Sequence, residues 1–188
     1  MSVIQAPVRE RILDAATRRY YSDGIRAVSA DRLIAEAGVS KVTFYRYFPS
    51  KDDLVVAYLE QQSAREQESV TAARANHEGD PAAVLRWYAG GVGELSCAPG
   101  FRGCPFINAA AEMSDPKHPG RKVVARHRAW LTTQVRELLT ELKVDDVEAR
   151  ADQLMMLRDG AMIAGYLGGS PDEVEASLIA AGRAIIGR

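Results

Sequence analysis

The chain has 188 residues, 47% of them hydrophobic and 26% charged, which suits one mid-sized domain or a small module joined to a larger body with a sizeable core. A formal net charge of −1 argues against nonspecific coating of nucleic acid, but residues 1–50 hold eight Lys/Arg against five Asp/Glu, a net of +3, which leaves −4 on residues 51–188. Two cysteines, Cys97 and Cys104, are too few for a disulfide scaffold, the N-terminus lacks a secretory apolar run, and no stretch approaches the roughly 20 apolar residues of a membrane helix, so a cytoplasmic protein with no membrane partner is expected.

No stretch alternates with period two for long, and the chain reads as all-helical. Ile12, Ala15, Ala16, Arg19 and Tyr20 recur at helical spacing over 8–23, with Gly24 as the stop. Ser29 is a good N-cap for a second helix reaching position 37, buried through Leu33, Ile34 and Ala37. Gly38 permits a left-handed turn, and Ser40 caps a third helix over 41–48 that Pro49 stops. Ser50 and Asp53 make a capping-box-like start to a long fourth helix reaching about position 73. After a break at 76–79, Asp80-Pro81 restarts the chain as N-cap and first helical residue. Further helices are expected at about 81–96, 105–113, 121–142 and 146–168, and a last one is capped by Ser170 and Glu173.

The segment 29–51 is the most telling: two short capped helices meet at a tight glycine turn, and the second is crowded with aromatics and cations. Phe44 and Phe48 lie one turn apart, on a face that would pack inward. Lys41, Val42, Tyr45 and Arg46 would then face a DNA major groove, with Lys41 and Arg46 suited to phosphates or guanine edges and Val42 to a thymine methyl. Thr43, Tyr47 and Lys51 could reach phosphates, as could the helix-terminal amides near Ser29 and Ser40. The plainer reading is a helical subdomain with a solvated basic face; the coincidence of caps, turn and aromatic-basic helix favours DNA.

The run from Ile34 to Leu54, with Ile12-Leu13-Asp14-Ala15-Ala16 and Gly24 on the first helix, resembles the signature of the TetR family of transcriptional regulators over about residues 9–59. The resemblance implies a three-helix DNA-binding domain at 8–51 and a larger helical ligand-binding and dimerisation domain at 52–188, entered through the fourth helix. It also implies base contacts from Lys41, Val42 and Tyr45, phosphate contacts from Thr43, Tyr47 and Lys51, a palindromic double-stranded operator, a homodimer, a small-molecule effector and, in the usual case, repression.

The body is less legible. Trp87, Tyr88, Phe106, Trp130, Met155 and Met162, together with Phe101, Met156 and Tyr166, are large enough to line a pocket, although any one taken alone reads as core. Asn108 and Glu112 share a helical face, and Asp159 sits in an apolar stretch where a carboxylate needs a partner, either a ligand or an arginine of the same body. Cys104, next to a helix start with Arg102 close in sequence, suggests a redox or electrophile sensor with Cys97, set against a buried apolar thiol. Small residues at 160, 161, 164, 165 and 168 and the stripe Ala176, Ile179, Ala180, Arg183, Ala184 and Ile186 suggest a dimer seam. His77, His118 and His127 form no metal-ligand pattern, and a Cys104–His118 dyad lacks an orienting third group, so neither cofactor, metal nor enzyme activity is expected. A helical ligand-binding protein without DNA binding is the remaining alternative.

Overall fold

The structure, a computed structural model, describes residues 7–187. The described residues hold nine helices and no strand: α1 Val8–Asp23, α2 Ala30–Ala37, α3 Lys41–Tyr47, α4 Lys51–Asn76, α5 Pro81–Ser96, α6 Pro105–Glu112, α7 Pro119–Glu141, α8 Val147–Tyr166 and α9 Pro171–Ile186. The expected all-helical fold is therefore observed, and no helix among these residues is long and apolar enough to cross a membrane.

Most helix starts are set by the caps the sequence advertises. Ser29 accepts from the Arg32 amide at 3.2 Å, Ser40 from Thr43 at 3.1 Å and Asp80 from Ala83 at 2.8 Å. Ser50 and Asp53 bond reciprocally, at 3.1 Å and 3.0 Å, and Ser170 and Glu173 close a full capping box. Several boundaries differ from expectation: α7 starts two residues early, at Pro119, and α8 ends two residues early, at Tyr166. α3 ends at Tyr47, with Phe48 turned to extended backbone as its C-cap, and α4 continues to Asn76 because nothing before Gly79 breaks it.

The described residues divide into two compact units, one of residues 7–63 and 105–125, the other of 64–104 and 126–187. The first is built on α1–α3, the start of α4, α6 and the start of α7. Ile12, Ala15 and Ala16 of α1, Leu33 of α2, Phe44 of α3, and Leu54 and Leu59 of α4 are fully buried there. Tyr20 and Tyr58 meet edge to face at 5.7 Å. The second unit packs α5, α8 and α9 with the later turns of α4 and α7. Its close approach depends on a missing side chain: a Cβ on Gly165 of α8 would collide with the Ser96 side chain and lie 2.8 Å from the Ser96 carbonyl oxygen.

Candidate nucleic-acid interface and ligand cavity

In the first unit, α2 and α3 are held at a fixed angle by three devices. Gly38 takes φ 62° and ψ 43°, a left-handed conformation that costs a residue with a Cβ about 1–2 kcal/mol. The Gly38 amide then closes back on the Ala35 carbonyl at 3.2 Å. Arg11 of α1 completes the turn. Its Nε and Nη2 donate to the Ala37 carbonyl at 3.2 and 2.9 Å, and Nη2 also donates to the Gly38 carbonyl at 2.9 Å. A guanidinium thus sits on the negative end of α2 and occupies carbonyls that the helix leaves open. No sequence motif singles out Arg11, whose partners are 26 and 27 residues away.

Electrostatic staples reinforce this frame. Glu36 of α2 binds Arg18 and Arg19 of α1, and the Arg19 hydrogen bond foremost holds its carboxyl below the ordinary range. Arg32 of α2 pairs with Asp23 at 2.8 Å. Four of the basic residues near the N-terminus therefore serve the frame rather than an open surface.

α3 is two-sided. Phe44 is 0% and Phe48 3% exposed, in agreement with the inward face expected for them, and Arg9 lies over the Phe48 ring at 5.3 Å. On the other side Val42 is 81% exposed, a position with no folding rationale, and Lys41, Tyr45, Arg46 and Tyr47 are exposed as well. Tyr45 packs edge-on against Phe44 at 5.3 Å, and Arg46 lies over Tyr47 at 5.3 Å, which stiffens two long side chains on this face. Lys41 touches Asp31 at 3.5 Å, an exposed pair of little energetic weight. The Thr43 hydroxyl accepts from Ser40 Oγ at 2.9 Å and keeps its own proton available. Ser29 and Ser40 occupy the third amides of their helices, leaving the first two N–H groups of α2 and α3 outward. Lys51 is half-buried, and its burial foremost lowers the ammonium pKa against the pull of Glu112 and Asp52.

Glu112 ends α6 and has a role the sequence reading did not foresee. Its carboxylate accepts from two successive amides of the loop after α1, Ile25 at 3.1 Å and Arg26 at 2.7 Å. Gly24, at φ 91°, makes room for it: a Cβ there would stand 3.3 Å from the Glu112 oxygens. His118 pairs with Asp52 at 3.3 Å, a second tie within the same unit.

The second unit encloses a cavity of about 320 Å³, within the range of small-molecule sites. Of the twelve pocket candidates named from the sequence, Trp87, Tyr88 and Met155 line it, and Phe101, Met156 and Tyr166 are not among its lining residues. The other six lie elsewhere. Phe106, Asn108 and Glu112 belong to the first unit, because α6 packs there. Trp130 instead stacks near His127 at 5.6 Å, and Met162 is buried core. Asp159 has arginine partners from the same body, Arg128 at 2.8 Å and Arg158 at 3.0 Å, the alternative weighed from its sequence setting.

Arg158, which the sequence reading passed over, is the centre of a polar cluster beside the cavity. It is only 6% exposed and donates to the Tyr88 hydroxyl at 3.2 Å, Cys104 Sγ at 3.4 Å and Asp159 at 3.0 Å. Glu66 accepts from Tyr88 at 2.7 Å and stands 3.3 Å from His127 Nε2 and 3.9 Å from Arg158. Burial pushes the Glu66 carboxyl up, but the His127 imidazole at 3.3 Å, the Arg158 charge and the Tyr88 hydroxyl outweigh it and hold it below its ordinary range. Burial foremost drives the Tyr88 phenol up, so it stays neutral. Cys104 is 2% exposed, and both cysteines are free thiols. The arginine beside Cys104 is Arg158, brought from α8, rather than one made evident by the local sequence. No group of three or more metal-ligating side chains exists among the described residues.

With this geometry, comparison with known proteins is specific. Residues 12–58 match the family model of bacterial regulatory proteins, tetR family. SCO4454, a TetR-family transcriptional regulator from Streptomyces coelicolor, has a crystal structure that aligns with a TM-score of 0.89 and 41% identity over 97% of this chain and 96% of that one. A second structure, that of a TetR-type regulator from Streptomyces avermitilis, aligns with a TM-score of 0.80 and 29% identity over 94% and 98%. The transcriptional regulator LmrA of Bacillus subtilis is 30% identical over 131 residues, 65% of this chain and 64% of LmrA, so the chain spans just under two thirds of that curated relative. The chain belongs to the TetR family of transcriptional regulators and carries that family's DNA-binding helix-turn-helix.

Proposed function

We propose that the protein is a ligand-responsive repressor that binds a palindromic operator as a homodimer through α3. The observation that carries this reading is the two-sidedness of α3, with Phe44 and Phe48 buried and Val42, Lys41, Tyr45 and Arg46 outward on a helix of seven residues. Lys41, Val42 and Tyr45 read bases, and Thr43, Arg46, Tyr47, Lys51 and the helix-terminal amides at Ser29 and Ser40 hold phosphates. DNA reading falls to residues 8–51. Residues 52–188 receive the signal and pair the protomers, with 105–125 packed in the compact unit that holds the reading helix. The partner, DNA, sets the cytoplasm as the working location.

Dimerisation is supported by an unpartnered apolar face on α8 and α9. Met156 and Ile163 of α8 and Leu167 at its C-cap are 66%, 44% and 78% exposed, Ala176, Ala180 and Ala184 are exposed on α9, and a Cβ on Gly160 would meet nothing within 4 Å, whereas Ile179, Arg183 and Ile186 of the expected stripe line the cavity. The cavity supports ligand response: a molecule that favours one dimer geometry shifts operator affinity by its differential affinity for the two states. Thiol sensing through Cys104 has the adjacent Arg158 in its favour and deep burial of the sulfur against it.

The test is a gel-shift titration against salt. The proposal expects affinity to fall steeply with salt and Tyr45→Ala to weaken binding by about 1–3 kcal/mol with folding intact. Binding that ignores both salt and Tyr45 would exclude DNA reading by α3.

A further inference from the structure

We infer that the cavity of the second unit takes a lipophilic acid, held with its apolar body inside and its anionic head at the mouth beside Arg183 and Arg86. This rests on the reading of that cavity as the effector site. The cavity's charged lining residues are Arg86, Arg158 and Arg183, and no aspartate or glutamate lines it. The remaining surface is mostly apolar, with Leu131, Leu138, Leu178 and Ile179 representative and Tyr88 and Gln134 its uncharged polar side chains. Such walls reject an ion unless it is paired, so the head group must lie where a counter-charge and water are both within reach.

Arg158 is the less suitable counter-charge. Glu66 and Asp159 already surround it and neutralise it, and a third carboxylate in that cluster would be buried against two others. Arg86 and Arg183 differ, because both line the cavity and are exposed, which places them at its opening with Trp87. Arg86 has one ion-pair partner, the exposed Asp80 at 3.5 Å, and Arg183 is exposed at the cavity. A carboxylate at that opening gains charge-assisted hydrogen bonds and keeps part of its hydration. An ammonium head in the same place meets the like charges of Arg86 and Arg183, and Asp80 is already paired with Arg86.

The full-length protein would be titrated calorimetrically near neutral pH with decanoate, decanol and decylammonium, which share one apolar body. Decanoate is expected to bind about tenfold or more tighter than decylammonium, with decanol between, as one charge-assisted hydrogen bond supplies. The double variant Arg86→Gln, Arg183→Gln should bring decanoate to the level of decanol and leave decanol unchanged. Gly182 lines the cavity from α9, and a Cβ there makes only an ordinary 3.8 Å contact with Leu154, so Gly182→Phe should fill the space and abolish all three affinities while helix content by circular dichroism is kept. Decylammonium binding as tightly as decanoate, or decanoate indifferent to the double variant, would overturn the acid assignment and leave the cavity as an effector site. Binding of none of the three, or binding that survives Gly182→Phe, would overturn the inference together with the effector reading of the cavity.

Discussion

Arg11 offers a sharp test of how the helix-turn-helix is held, because it carries a charge in a basic module yet spends its guanidinium on the Ala37 and Gly38 carbonyls. Arg11→Met keeps most of the side-chain stem and removes the guanidinium. Two carbonyls then lose partners. That of Gly38 is exposed and water replaces the donor at little cost. That of Ala37 is part-buried, accepts from both Nε and Nη2, and belongs to a residue only 7% exposed. Leaving it unpaired costs about 1–2 kcal/mol, toward the lower end for a hydrogen bond from a charged donor. For a chain of this size that lowers the unfolding midpoint by about 2–8 °C. The amides of Gly38 and Val39, which bond back to Ala35 and Ile34, should exchange faster in hydrogen-exchange measurements. Operator affinity should fall because α3 is no longer held, while the dependence of log affinity on log salt keeps its slope. Arg46→Met should do the reverse, with stability kept and the slope reduced by about 1 per protomer. If Arg11→Met melts like the parent protein and reduces the salt slope, Arg11 is a phosphate ligand and the account of the turn is wrong.

Three further outcomes follow from the packing. Glu112→Gln places an amide N–H against one of the two loop donors, so the first unit should lose about 1–2 kcal/mol, and faster exchange at Ile25 and Arg26 should leave the α8 and α9 amides unchanged; unchanged protection at those two amides would refute the clamp. The two α8 glycines should respond oppositely to alanine: Gly165→Ala collides with Ser96 and destabilises the fold by about 1–3 kcal/mol, whereas Gly160→Ala stabilises a single chain by about 0.5–1 kcal/mol and weakens dimerisation in sedimentation. Glu66, held below its ordinary value of 4.5, contributes stability that is fully present above that pH and is lost as pH falls through its lower folded value; pH-dependent melts of Glu66→Gln should lack this acid limb, and an identical limb in parent and variant would show that Glu66 contributes nothing.

The legible parts of this molecule are the local ones. Caps at Ser29, Ser40, Ser50, Asp80 and Ser170 are written within three or four residues of the amides they satisfy, and the Phe44–Phe48 face needs only helical spacing. What escaped is long-range. Arg11 on Ala37, Glu112 on Ile25 and Arg26, and Arg158 on Tyr88 join residues between 26 and 87 positions apart, and nothing local marks either partner. The cavity lining is set by packing for the same reason. Helical periodicity puts Asn108 and Glu112 on one face of α6, but only the packing of α6 into the first unit decides which core that face meets. Arg158 reads from sequence as a charge interrupting Met155-Met156-Leu157, and its value as a cavity marker depends on Glu66 arriving from α4. The glycine stripe on α8 likewise divides in space, Gly165 toward α5 and Gly160 into the open.

The most direct test of the central claim, that the outer face of α3 reads an operator as part of a dimer, is selection of bound DNA from a random pool with the full-length protein and with Lys41→Ala, Tyr45→Ala. The parent protein should enrich a palindrome whose half-sites are about one helical turn of DNA, or a multiple of it, apart, and the double variant should lose or change the half-site bases while keeping its fold. A pool that shows no symmetric site, or the same site for parent and variant, would contradict it.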